Sequence, residues 1–191
     1  MSTSVGEKGI LKKNRTNELI YIALLVALGS VLHVIEGLIP LPNLIVPGAK
    51  LGFANIVTLL ALVLLGNWEA LVVAVLRIFL GGLISGQFMN IGFFLALSGG
   101  LCALLGMVVS RKLSVSIIVV SMVGALFHNT GQVIAAYLYI QSTELFWYLM
   151  ILSPFALLTG FFTGYLSYLI LRYMQKVTLN MVDSEYVSKG G

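Results

Sequence analysis

Acidic residues, histidine and cysteine are all scarce in this chain, and each shortage removes a class of chemistry. The 191 residues include seven acidic side chains, two histidines and one cysteine. Asp183 is the only aspartate and lies in the polar C-terminal stretch. Magnesium-dependent chemistry on a diphosphate needs clustered carboxylates, so this chain is not expected to perform it. A Ser-His-Asp triad fails for want of an aspartate in the apolar region. Cys102 alone gives neither a disulfide framework nor a thiolate metal cluster, and two histidines do not build a zinc site. No GxxxxGK[ST] loop occurs, so ATP hydrolysis would have to come from another chain. The chain is read as a non-enzyme, with no cofactor called for.

Charge of any sign is also rare, at 9% of residues against 59% hydrophobic, with a mean hydropathy of +1.04. A soluble domain carries about a quarter charged residues, so most of this chain cannot face water. Six apolar stretches approach the ~20 residues that a membrane helix needs. They run Glu18–Ile39, Lys50–Gly66, Trp68–Ser85, Gln87–Ser110, Leu113–Ile140 and Leu145–Met174. Their apolar character is continuous rather than alternating, which favours a helical bundle over a barrel. The expected fold is an all-α integral membrane protein of six transmembrane helices. A basic segment (1–17) precedes the membrane domain (18–175), and a tail (176–191) follows it. The first stretch is too long for a signal-peptide core and lacks a small-x-small cleavage site, so it is read as a retained helix.

The net charge of +4 does not point to nucleic acid, because the basic residues fall at helix ends. Lys8, Lys12, Lys13 and Arg15 precede the first stretch. Arg111 and Lys112 separate the fourth from the fifth, and Arg172 and Lys176 close the sixth. With six crossings these share one side, and the positive-inside rule makes both termini cytoplasmic. Small residues within the stretches, such as Ala23 and Ala27 or Gly160 and Gly164, suit close helix packing or docking of a partner helix.

Against this apolar background, Arg77 stands near the middle of WEALVVAVLRIFLGGLIS. A charge at that depth costs a few kcal/mol even on lenient insertion scales, so it is expected to face a partner or a wet cavity. The other intramembrane polar residues gather in the same half. His33 and Glu36 lie near the outer end of the first helix, Lys50 and Asn55 open the second, and Gln87 and Asn90 open the fourth. His128, Asn129 and Gln132 lie in the middle to outer part of the fifth. Convergent polar groups in an apolar surround suit a small-molecule site open to the outside. Lys50 and Arg77 outnumber Glu36, which hints at an anionic or phosphate-bearing ligand. The competing reading is purely structural: Glu36 pairs with Arg77 or Lys50, and the amides staple helices together.

The segments PGAKLGFANIVTLLAL (Pro47–Leu62), EALVVAVLRIFLGGL (Glu69–Leu83) and GALFHNTGQ (Gly124–Gln132) resemble the bacterial Gx transporter family. That family is also labelled heptaprenyl diphosphate synthase component I, and the likeness covers about residues 18–175. The family in turn resembles the S components of energy-coupling factor transporters. Those are six-helix proteins of the cytoplasmic membrane that capture a small molecule from outside and work with a T subunit and two ATPases. The resemblance implies ligand contacts at Lys50, Asn55, Arg77, His128 and Asn129, and a T-subunit contact at Ala23-x-x-x-Ala27. The alternative it leaves is a non-catalytic accessory role in prenyl diphosphate or quinone metabolism, or in extracellular electron transfer.

Overall fold

The computed structural model describes residues 14–38 and 53–189, with side chains for all of these but Phe53, Tyr148 and residues 178–189. The described residues form six α-helices: α1 (Arg15–Leu38), α2 (Phe53–Leu64), α3 (Asn67–Ile84), α4 (Ile91–Lys112), α5 (Ile117–Ile140) and α6 (Leu145–Lys189). All but α2 are long and apolar enough to cross a bilayer, so this is a multi-pass membrane protein. Lys50 and the Pro-rich segment 39–49 lie outside the described residues.

Two of the expected helices start late. The stretch read as a helix from Gln87 begins at Ile91, and the one read from Leu113 begins at Ile117. In both places apolar residues belong to a turn. Met89 and Ser114 take positive φ, which ends a helix, and the Ser116 hydroxyl then caps α5 by accepting from the Val119 N–H at 3.3 Å. At the other extreme, α6 does not stop at Met174 but continues through the polar tail to Lys189.

The second helix is the hub. The 12 described residues of α2 rise ~18 Å. It touches all five other helices. Val57, Leu59, Ala61 and Leu62 are almost wholly inaccessible, and they pack with Val26 of α1, Val73 of α3, Met107 of α4 and Val120 of α5. Its C-terminal half also packs Leu60 and Leu64 against Leu171 of α6. A helix buried on every side must satisfy its polar groups within the protein.

The outer helices close around α2 through small residues. A Cβ added at Gly160 or Gly164 of α6 would come within 2.8 Å of the backbone Cα of Met122 or Ile118 on α5. These two glycines therefore serve internal packing. Lipid supplies no hydrophobic drive between helices, so close approach and dispersion must hold them together. The Ser121 and Thr163 hydroxyls add a buried hydrogen bond of 2.9 Å across the same seam.

Exposed aromatic residues mark both ends of the bundle. Trp68 and Tyr173 project at one end, Tyr139 and Trp147 at the other. Along α6 the two belts stand ~39 Å apart, close to the thickness of a bilayer with its interfaces. Arg15, Arg111, Lys112, Arg172 and Lys176 all belong to the Trp68 end.

Candidate functional site

His33, Glu36, Asn55, Arg77 and His128 gather toward the Trp147 end of the bundle. On α1, His33 and Glu36 are spaced three apart and share a face. On α2, Asn55 and Thr58 repeat that spacing. Arg77 reaches across from α3. Its Nε donates to Thr58 Oγ1 at 3.0 Å and one Nη donates to Asn55 Oδ1 at 3.1 Å. The guanidinium is thus fixed by two neutral oxygens, and the Glu36 carboxylate lies within electrostatic reach. Arg77 is 3% exposed and Glu36 6%.

Small residues make room for these long side chains. The Arg77 stem crosses α1 at Gly29, where a Cβ would fall 2.9 Å from Arg77 Cδ. The next residue, Ser30, is placed to donate to both Val26 O (2.8 Å) and Arg77 O (3.5 Å). His33 lies in turn on Gly81 of α3, with its Cδ2 2.7 Å from where a Cβ would stand. His128 of α5 is seated the same way on Gly99 of α4. Each contact trades a methyl for the body of a polar side chain.

Together these residues line one cavity. Among the described residues its walls are His33, Glu36, Ala54, Asn55, Arg77, Ile78, Ala96 and His128. There is room for about one water molecule. Arg77, Asn55 and His128 supply nitrogen donors, Glu36 supplies an acceptor, and Ala54, Ile78 and Ala96 form an apolar wall. Among the described residues, no group of three or more His, Cys, Asp or Glu is placed to hold a metal ion.

The family model for heptaprenyl diphosphate synthase component I matches residues 25–170, a span that contains every described wall of this cavity. The chain belongs to that family. No curated protein and no solved structure matches it. This is also the family to which the three sequence segments showed a likeness.

Within this family member, the polar residues singled out from sequence divide into two groups. His33, Glu36, Asn55, Arg77 and His128 come together in the cavity. Asn129 is buried but turns toward α6, where its Nδ2 donates to Leu152 O at 3.4 Å. Gln132 is half-buried with its Cγ packed against Gly99 of α4. Asn90 and Gln87 are exposed in the turn before α4. Asn90 occupies the N-cap position, and its side chain makes no capping bond. None of the four is among the described walls of the cavity, although Gln132 packs on the same Gly99 as His128. On α1, Ala23 and Ala27 are exposed, in a stripe with Ile20, Leu24 and Val31 toward the other end of the bundle.

Thr58 and Arg111 were missed as structural partners. Thr58 is the acceptor that orients Arg77, and its spacing of three from Asn55 was the available signal. Arg111 appeared only as a topology residue, yet its guanidinium donates to Leu62 O near the C-terminus of α2. Cationic side chains at that position satisfy carbonyls left over at a helix end. The hub helix is therefore held by an arginine at each end, Arg77 from α3 and Arg111 from α4.

Proposed function

We propose that this chain is the substrate-binding subunit of an energy-coupling factor type transporter, similar to an S component. The observation that supports it is the convergence of five polar side chains from four helices on one cavity at one end of an otherwise apolar bundle. A scaffold alone needs no such focus, whereas ligand pockets combine apolar walls with a few convergent polar groups. The five central contacts of the proposal are His33, Glu36, Asn55, Arg77 and His128, with Lys50 as a further contact from the segment before α2. The chain itself does no chemistry.

In this reading α2 counts as the sixth crossing, shielded from lipid by its five neighbours. The basic residues at the Trp68 end put both termini in the bacterial cytoplasm and the cavity toward the outside. The exposed Ala23 and Ala27 then lie in the cytoplasmic half, where a T subunit could approach closely. The ATPases would supply the energy that this chain has no motif to harvest.

Gentle-detergent capture of the tagged chain from native membranes tests this directly. Co-purification of a T-type membrane subunit with two ATPases is expected, and uptake should depend strictly on them. Uptake by the chain alone in liposomes would count against the proposal.

The family description favours a second reading, a non-catalytic membrane partner of a prenyl diphosphate synthase. Capture of a soluble synthase without ATPases would support it. A deletion strain with normal isoprenoid quinones would oppose it.

A further inference from the structure

Pro154 stands inside α6, and the helical turn before it is weakened at three points. Proline has no N–H to give the Met150 carbonyl, and its ring crowds that oxygen. The Ser153 hydroxyl donates back to Leu149 O, a bond that competes with the helix ladder and tends to bend it. The Leu152 carbonyl is shared with α5, accepting from Asn129 Nδ2 at 3.4 Å. We infer that the segment Leu145–Ser153 is a movable arm, hinged at Pro154 and latched to α5 by Asn129.

Packing divides α6 at the same place. On the Tyr173 side of the proline, Gly160 and Gly164 bring the helix onto the α5 backbone. There Ser121 and Thr163 share a buried hydrogen bond, and Leu171 joins the cluster around the hub. Thr163 and Ser167 also donate back along the helix, yet in that stretch α6 is pinned to α5 and has no room to bend. On the Trp147 side, Leu145, Leu149 and Leu152 form a small cluster with Val133, separate from the main core. The Tyr137 and Phe146 rings, with centroids 5.3 Å apart, add one contact more. Phe146, Trp147, Met150 and Ile151 are exposed. A segment with few buried apolar contacts opens at low free-energy cost.

The arm has a pivot at its other end as well. There α5 closes at Gln141, whose φ of 57° is left-handed, and the chain turns through Ser142–Glu144 into α6. Hinges are a few loop or element-terminal positions that absorb the backbone change, and Gln141 and Pro154 bracket the arm in that way. At 3.4 Å the latch is long for a hydrogen bond, which suits a contact that is made and released. His128, the residue before the latch, is a wall of the cavity. Movement of the arm therefore frees the side of α5 next to the cavity, while α1, α3 and the hub need not move. The arm exists whether or not the cavity takes a ligand.

Double electron–electron resonance on the full chain in lipid nanodiscs tests this, with Cys102→Ser as the background. Nitroxides at Met150→Cys and Leu83→Cys report the arm against the far end of α3. Nitroxides at Leu158→Cys and Leu105→Cys report α6 beyond the hinge against α4, as the reference. All four positions are exposed. The arm pair should give a distance distribution at least about twice as broad as the reference pair. Pro154→Ala should narrow it toward the reference, and Asn129→Ala should broaden it further or move it to longer distance. Should Asn129→Ala fail to fold, the wild-type comparison and Pro154→Ala still decide. Equal breadth in the two pairs overturns the inference, as does an arm distribution that either substitution leaves unchanged in a folded protein. No ligand or partner protein is present in the assay, so the binding reading stands or falls separately.

Discussion

Arg77 on α3 donates through Nε to the Thr58 hydroxyl on α2 at 3.0 Å, and both groups are sealed from solvent. Thr58 sits on the helix that every other helix touches, so this bond ties the one mid-membrane cation to the hub of the bundle. Valine has almost the same shape as threonine but accepts nothing. Thr58→Val should leave a buried guanidinium N–H unsatisfied and lower stability by about 1–3 kcal/mol. Thr58→Ser should keep most of that stability. Thermal unfolding in nanodiscs separates the two, and equal loss in both variants would show that the methyl rather than the hydroxyl matters.

Gly29 and Gly37 lie on the same helix and make opposite predictions. A methyl at Gly29 would meet the Arg77 stem at 2.9 Å, whereas none of the described residues lies within 4 Å of one at Gly37. Gly29→Ala should cost about 1–3 kcal/mol through overpacking. Gly37→Ala should be neutral or slightly stabilising, since alanine is the better helix former. In combination with Arg77→Ala the Gly29 cost should largely vanish, because the clash partner is gone. Additive losses in that double mutant would mean the helices, not the arginine stem, set the spacing.

Helix existence was legible because continuous apolar runs of membrane length have few other outcomes. The helix starts were not, since Gln87–Asn90 and Leu113–Ser116 carry enough apolar residues to extend a run while their backbones turn. The role of α2 was hidden for a related reason. In lipid, a residue facing hydrocarbon and one facing another helix are equally apolar, so Val57 and Leu62 read no differently from exposed Leu24 or Leu158. The site was half legible on the same grounds. Position along a helix gives height, which is why His33, Glu36, Asn55, Arg77 and His128 were found together. Rotation about the helix axis needs a polar face to read against, and this chain has little of one. Asn90 is exposed and Asn129 bonds toward α6, whereas Gln132 lies against the same Gly99 as His128.

The turn between α2 and α3 depends on Gly66 for two separate reasons. Its φ of 136° is open to glycine and strained for any L side chain. In addition, the Glu69 carboxylate folds back over it, with Oε2 2.7 Å from where a Cβ would stand. Glu69 is the third residue of α3, from which an acidic side chain can serve the N–H groups exposed at the helix start. Gly66→Ala should therefore be more damaging than Glu69→Gln, which keeps the reach and loses only the charge. Protein yield and unfolding temperature in a matched detergent would rank them. The reverse order would place the weight on the carboxylate.

Ala23 and Ala27 allow fold and partner docking to be separated. Both are exposed on α1, away from the Gly29 and Ser30 face that packs against α3. Larger apolar side chains there should be accepted by lipid and leave the bundle intact, so Ala23→Leu with Ala27→Leu should unfold at the wild-type temperature. A T subunit that needs close backbone approach would meet two added isobutyl groups at the crossing, where a small-residue seam allows none. Co-purification of the T subunit and ATPases should fall at least about tenfold, equivalent to roughly 1.4 kcal/mol at the interface. Binding of a small molecule by the isolated chain should not change, because the cavity lies at the far end of α1, at His33 and Glu36. Retained co-purification would move the docking surface to another helix. Loss of ligand binding with the fold intact would instead show that α1 transmits strain along its whole length.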